Sequence, residues 1–278
     1  MSVLNGDWIM LIVLWLVSVA LVVGGLRPVT EQRLHRWSVR LGVLVDSETD
    51  EWTRRQLRRA RAIRWVAFAV GLNVGSLPAY MNVIDAERAG DFANDAVGIA
   101  PIAAAALGSV VAEIALITRP SGRRTAAIVV RRWSDYIERF WLIVVIAALP
   151  ASIVAVAVPA AARADPPSWP TWFGPIVCAG SLLAVTVGVH VVVNRPATAS
   201  TESARRIDDA LRADGAHHVV GAAVALSTIA LVGSIQQALE PGTVTVVLML
   251  LPYVALGSWY GLACTTQWNV DQARLQRV

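Results

Sequence analysis

Phe140–Ala160 reads FWLIVVIAALPASIVAVAVPA, a run without a single charged residue, bordered by Arg139 on one side and followed by Arg163 on the other. At about 1.5 Å per residue, a helix of this length covers about 30 Å, the thickness of the hydrocarbon layer of a bilayer. Its apolar residues do not alternate with polar ones, so it does not read as a barrel strand. In lipid a helix satisfies its own backbone hydrogen bonds, which makes it the natural conformation. Six further runs have the same character: Trp8–Leu26, Ile63–Ile84, Ala96–Ile117, Trp172–Val193, His218–Ile235 and Thr243–Cys264. Each is roughly 18–22 residues long, enough for one crossing. The expected fold is all-α: a single transmembrane domain over residues 1–278, a bundle of seven transmembrane helices.

Composition agrees. Of the 278 residues 56% are hydrophobic and 16% charged, with a mean hydropathy of +0.56; soluble domains carry about 25% charged residues. All 24 basic residues are arginine. The absence of lysine excludes Schiff-base chemistry of the retinal or pyridoxal kind, and it excludes a P-loop. Abundant Ala, Val and Arg fit the codon usage of a GC-rich bacterial genome.

The arginines also orient the chain. With the N-terminus outside, 22 of the 24 fall on one side: in 27–64, 119–139, 195–212 and the tail after 264. Only Arg88 and Arg163 fall on the other. The positive-inside rule therefore predicts a multi-pass cell-membrane protein with a cytoplasmic C-terminus. The first run has no basic residues before it and no convincing cleavage site after it, so it reads as an anchor rather than a signal peptide. Trp8 and Trp172 at the outer boundary, and Trp65 and Trp133 near the inner one, are expected to anchor the helices in the headgroup region. The inner arginines imply contact with anionic inner-leaflet lipids; no nucleic-acid-binding module accompanies them.

Three helices running inward close alike, at Leu26-Arg27-Pro28, Thr118-Arg119-Pro120 and Asn194-Arg195-Pro196. The arginine can snorkel to the headgroups and the proline ends the helix. An amphipathic stretch follows each one: Leu34, Trp37, Leu41 and Leu44; then Val129, Trp133, Tyr136, Ile137 and Phe140; then Ile207 and Leu211. Ser47 and Asp50 read as a capping box before a further inner helix over about Glu51–Arg61. The expectation is a parallel tandem repeat of helix hairpins with amphipathic cytoplasmic extensions, able to cover the bundle or to dock a partner.

Recognisable catalytic motifs are missing. Histidine occurs only at 35, 190, 217 and 218, and no HExxH, CxxC, GxSxG or dinucleotide fingerprint is present. No catalytic residue, metal ligand or cofactor is expected. Cys178 and Cys264 lie at depths differing by roughly 20 Å, too far apart for a disulfide. Asp208, Asp209 and Asp214 have the spacing of an aspartate-rich magnesium motif without a second such cluster. They read as a solvated face paired with Arg205, Arg206 and Arg212. Asp85, Glu87, Asp91 and Asp95 read as a solvated outer loop.

Polar groups inside the spans are the functional candidates, because charge there is costly. Glu113 and His190 each lie about one turn above the inner end of a span and could relay a proton together. Asn73 falls near the midplane of the second span, within Gly71-Leu72-Asn73-Val74-Gly75-Ser76-Leu77-Pro78. Pro78 and Pro150 interrupt corresponding helices, a pattern that points to a midplane pathway. Gly71 with Gly75, and Gly257 with Gly261, form GxxxG faces for helix packing. The leading expectation is a non-enzymatic permease-like protein or membrane subunit of a transport or export system. A scaffold that holds a cytoplasmic or membrane protein partner through inner arginines, and a lipid-processing enzyme at the inner face, are the alternatives. The oligomeric state is left open.

Overall fold

The computed structural model describes residues 3–82, 92–115, 132–163, 169–194, 201–239 and 250–265. Among these the chain is all-helical, with no strand. The helices are α1 (Val3–Leu26), α2 (Glu31–Leu41), α3 (Asp50–Asn82), α4 (Phe92–Ala115), α5 (Arg139–Arg163), α6 (Phe173–Asn194), α7 (Glu202–Ala238) and α8 (Leu251–Tyr260). Short 3-10 turns occupy Trp133–Asp135 and Trp169–Trp172, and α8 runs into a π-turn at Gly261–Thr265.

The described part of each of the seven apolar runs falls mostly on a helix. Three helical segments are long and apolar enough to cross a membrane: Arg139–Ala162, Phe173–Asn194 and Glu202–Gln237. A fourth is reached if Ile12–Leu26 and Glu31–Leu41, bent by 77° to one another, make one broken span. Seven crossings are therefore not established among the described residues. Ile102–Ala115 is a shorter apolar helix, and the first half of α3 carries six arginines. The outer surface nonetheless suits lipid. On α1, Ile12, Val13, Trp15, Leu16, Val17 and Val19 are all exposed, and on α5 so are Phe140, Ile143, Ile146, Val154 and Val158. Soluble monomers rarely expose continuous apolar surface on that scale.

The seventh helix is the axis of the molecule. Of its most apolar window 67% is buried, against 22% for α5 and 28% for α6. Helices α4, α5, α6 and α8 pack around it, while α3 bridges α4 to α1. Small residues set the spacing. A Cβ on Gly188 would meet Val219 Cγ1 at 2.7 Å, and one on Gly221 would meet Trp259 Cδ1 at 2.8 Å. Such close approach is the usual packing device between helices in lipid.

The elbow after Arg27-Pro28 forms as the sequence suggests. Thr30 caps α2 by accepting from the Arg33 amide at 3.4 Å. Leu34, Trp37 and Leu41 are buried one and two turns apart, in the core that surrounds the first half of α7. Leu44 does not continue this stripe and is 92% exposed. Gly42, with φ 65°, ends the helix in the left-handed conformation first.

Other inner segments differ from expectation. The inner helix over 51–61 and the span after it are one continuous helix, because no residue between Arg61 and Ile63 breaks the run. Its start is held by Asp46 rather than Ser47: Asp46 Oδ1 accepts from the Thr49 amide at 2.9 Å and from its hydroxyl at 2.6 Å. In the second amphipathic stretch, the described part is a 3-10 turn at Trp133–Asp135, closed by the Arg132 amide donating to Asp135 at 2.8 Å. The third stretch is absorbed into α7. Arg119-Pro120 and Arg195-Pro196 lie outside the described residues, so only the first of the three repeat junctions is described.

Candidate functional site

The central helix starts as an ordinary capped helix and becomes exceptional further on. Thr201 accepts from the Ala204 amide at 3.3 Å, and Glu202 pairs with Arg206 on an exposed face. From Ile207 onward nearly every face is covered, since Ala210, Ala213 and Ala216 are small enough for neighbours to close in. Asp208, Asp209, Arg212 and Asp214 lie on this stretch and are all buried. The expected solvated acidic face is therefore a buried ionic core. Only the pairing with Arg212 is as read from the sequence.

Two groups of charges result. In the first, Arg212 is fully buried and bonds Asp208 at 2.8 and 3.0 Å, one turn back on the same helix. Its third donor reaches the Val192 carbonyl at 2.6 Å, in the last turn of α6, where a cation suits the helix dipole. The Tyr136 hydroxyl donates to Asp209 at 3.2 Å.

The second group joins four helices. Asp214 on α7 pairs with Arg40 of α2, and Arg64 of α3 approaches it at 3.4 Å. Arg64 also approaches Glu113 of α4 at 3.5 Å. Glu113 is completely buried and lies against Gly215, where an added Cβ would collide with its carboxylate. The His218 imidazole is 2.8 Å from the Asp214 carbonyl and 3.7 Å from its carboxylate. Arg40 donates in addition to the Ala263 carbonyl in the π-turn. Among the described residues, two arginines and two carboxylates thus come together where α2, α3, α4, α7 and the π-turn meet. Burying ions costs several kcal/mol each, and only mutual pairing with good hydrogen bonds offsets that.

The candidates read from the sequence separate here. Glu113 belongs to the network. His190 does not meet it: it is exposed on α6, with its ring 3.2 Å from the Asn194 amide nitrogen of the same helix. Asn73 ties α3 to α1 by donating to the Ser18 hydroxyl at 2.7 Å and to the Ala69 carbonyl at 2.7 Å. Pro150 is exposed on α5, which stays helical through it. Pro78 lies within α3, but its side chain is outside the described residues. Gly71 is buried in α3, and the surroundings of Gly75 lie outside the described residues. Gly257 faces open space, so it packs against nothing described. Gly261 opens the π-turn.

Among the anchoring residues, Trp65 and Trp133 are partly exposed, at 38% and 40%. Trp172 is half-buried, and Arg27 is exposed. The Trp8 side chain, Arg119 and Arg195 lie outside the described residues, as do the Asp85, Glu87 and Asp91 positions and the Asp95 side chain. Among the described residues no group of three His, Cys, Asp or Glu side chains is arranged to hold a metal. Asp208 and Asp214 instead face guanidinium groups.

Arg40, Arg64 and His218 escaped the reading of the sequence as a site, and Asp214 was read there as part of a solvated acidic face. The available signal was the run of small residues on several faces of 207–216, since a helix without a bulky polar face is one that neighbours enclose. No family model, curated protein or solved structure matches the chain.

Proposed function

We propose that the chain is a seven-span protein of the cell membrane, with its N-terminus outside and its C-terminus cytoplasmic, and that it is a non-enzymatic permease-like protein or the membrane subunit of a transport system. The observation that carries this reading is the position of Arg64, 3.5 Å from Glu113 and 3.4 Å from Asp214. Ionisable groups enclosed by spanning helices are rare, and they mark ion or proton routes. A proton placed on Glu113 removes its need for Arg64, which is then free to close on Asp214; loss of the proton draws Arg64 back. One proton thereby biases contacts shared by α3, α4 and α7, the kind of bistable element that coupling requires. The working group in this reading is Glu113 with Arg64, Asp214, Arg40 and His218, in place of Asn73 and His190.

The scaffold reading is less favoured. Arg54 and Arg58 hold backbone carbonyls of their own chain, which leaves fewer arginines for a partner.

Proton flux decides the matter. Proteoliposomes with an entrapped pH-sensitive dye, held at an imposed membrane potential, should acidify faster with the protein than without it. Glu113→Gln should abolish the difference while keeping a monodisperse, helical protein. Wild-type vesicles that behave like empty ones, or a fully active Glu113→Gln, would sink the proposal.

A further inference from the structure

Among the described residues, the junction of α1, α2 and α3 gathers arginines that no carboxylate neutralises. Along α3, Arg54 takes Asp50 at 2.8 Å and Arg55 takes Glu51 at 3.0 Å. The next arginines turn toward the end of α1. Arg58 donates to the Leu26 carbonyl at 2.9 Å, and Arg61 to the Gly25 carbonyl at 3.2 Å and to that of Arg27. Those carbonyls lack helical partners because Pro28 ends the helix. The bonds fix the planes of two guanidinium groups beside the elbow. Burial, and next the charges of Arg33 in the first turn of α2 and of Arg58, hold the Arg61 guanidinium below its ordinary value. Among the described residues, Arg27, Arg33, Arg58 and Arg61 have no carboxylate within ion-pairing distance.

We propose that Arg33, Arg58 and Arg61, with Arg27 beside them, form a binding site for the phosphate group of an anionic ligand at the end of α1. Converging like charges repel one another, and a phosphate relieves that repulsion while accepting the donors that the carbonyls leave unused. Guanidinium groups suit a phosphate because their donors match its oxygens in pairs. The site follows directly on the apolar α1, at the depth where a membrane presents its headgroups. An anionic phospholipid and free phosphate share the required chemistry.

Thermal unfolding of the purified full chain in a zwitterionic detergent separates the outcomes. Short-chain phosphatidylglycerol should raise the melting temperature saturably, and short-chain phosphatidylcholine should not. Among the described residues Arg33 holds no carbonyl with its side chain, so Arg33→Gln leaves the elbow intact; it should weaken the apparent affinity about five-fold, the effect of removing one basic residue near an anionic surface. Arg33→Gln/Arg58→Gln should weaken it further, whereas Arg55→Gln/Arg59→Gln, the same charge change made on α3 alone, should leave it within two-fold. If the double variant fails to fold, Arg33→Gln carries the comparison. A saturable shift with inorganic phosphate, weakened by Arg33→Gln, would keep the site and make free phosphate its ligand. Equal loss in Arg33→Gln and the Arg55→Gln/Arg59→Gln control, or equal shifts with the two lipids, overturns the proposal.

Discussion

The Glu113 carboxylate occupies the space that a Cβ of residue 215 would need. Gly215 is therefore part of the ionic network although it carries no charge: it is the gap in α7 through which a carboxylate of α4 lies against the helix backbone. Replacement by alanine should force Glu113 aside and disturb its approach to Arg64. The expected loss is about 1–3 kcal/mol, the usual cost of overpacking, read from denaturant unfolding in detergent. Gly233 lies in the same helix with nothing within 4 Å of its Cβ position. Gly233→Ala should instead be neutral or stabilising by up to about 1 kcal/mol. Equal effects at the two sites would contradict the packing described.

Arg212 provides a test of the first ionic group. It is completely buried, and it bonds both Asp208 and the end of α6. Arg212→Leu strands a buried carboxylate and should cost about 3–5 kcal/mol. Adding Asp208→Leu removes the stranded charge and should recover much of that loss. Arg55→Ala, which breaks an ion pair whose side chains are 71% and 81% exposed, should change stability by less than about 1 kcal/mol.

The Asn73–Ser18 bond joins the α3 and α1 helices in their apolar portion. A double-mutant cycle with Asn73→Ala and Ser18→Ala should give a coupling of about 0.5–2 kcal/mol, the range of hydrogen bonds between helices in membranes. A coupling indistinguishable from zero would remove the bond from the packing of α1.

The start of α3 should respond to acid through Asp46. The Thr49 hydroxyl, and next the Thr49 amide, hold the Asp46 carboxyl below its ordinary value of 3.8. A carboxylate whose folded value is depressed adds stability above its unfolded value, and that stability disappears as pH falls through the folded value. Asp46→Ala should therefore melt earlier than wild type at pH 6. The gap should close progressively as pH falls below about 4. A gap that persists unchanged into strong acid would mean that the cap does not depend on the carboxylate's charge.

Local order was legible from one residue type at a time. The uninterrupted apolar run at 140–160 is a helix because its backbone bonds are local. Arg27-Pro28 ends α1 because proline lacks an amide proton, and Leu34, Trp37 and Leu41 share a face because the helical period places them there. Each of these follows from neighbours within a few positions. The chain alone also identified Glu113 as a costly group in an apolar helix.

What surrounds that glutamate depends on contacts far apart in sequence. Arg64 is 49 residues away and Asp214 stands 150 residues beyond Arg64, so nothing in local spacing joins them. The same holds for Asp208 and Arg212: their one-turn spacing predicts a pair in water or in a core alike. Only the closure of four helices around the small residues of α7 turns that stretch from a solvated face into a buried one. His190 shows the converse. Its place near the end of its apolar run matches that of Glu113, but the rotation of α6 about its axis turns it outward. Depth is set by position along the chain, whereas facing is set by packing, and packing decided which of the polar residues meet.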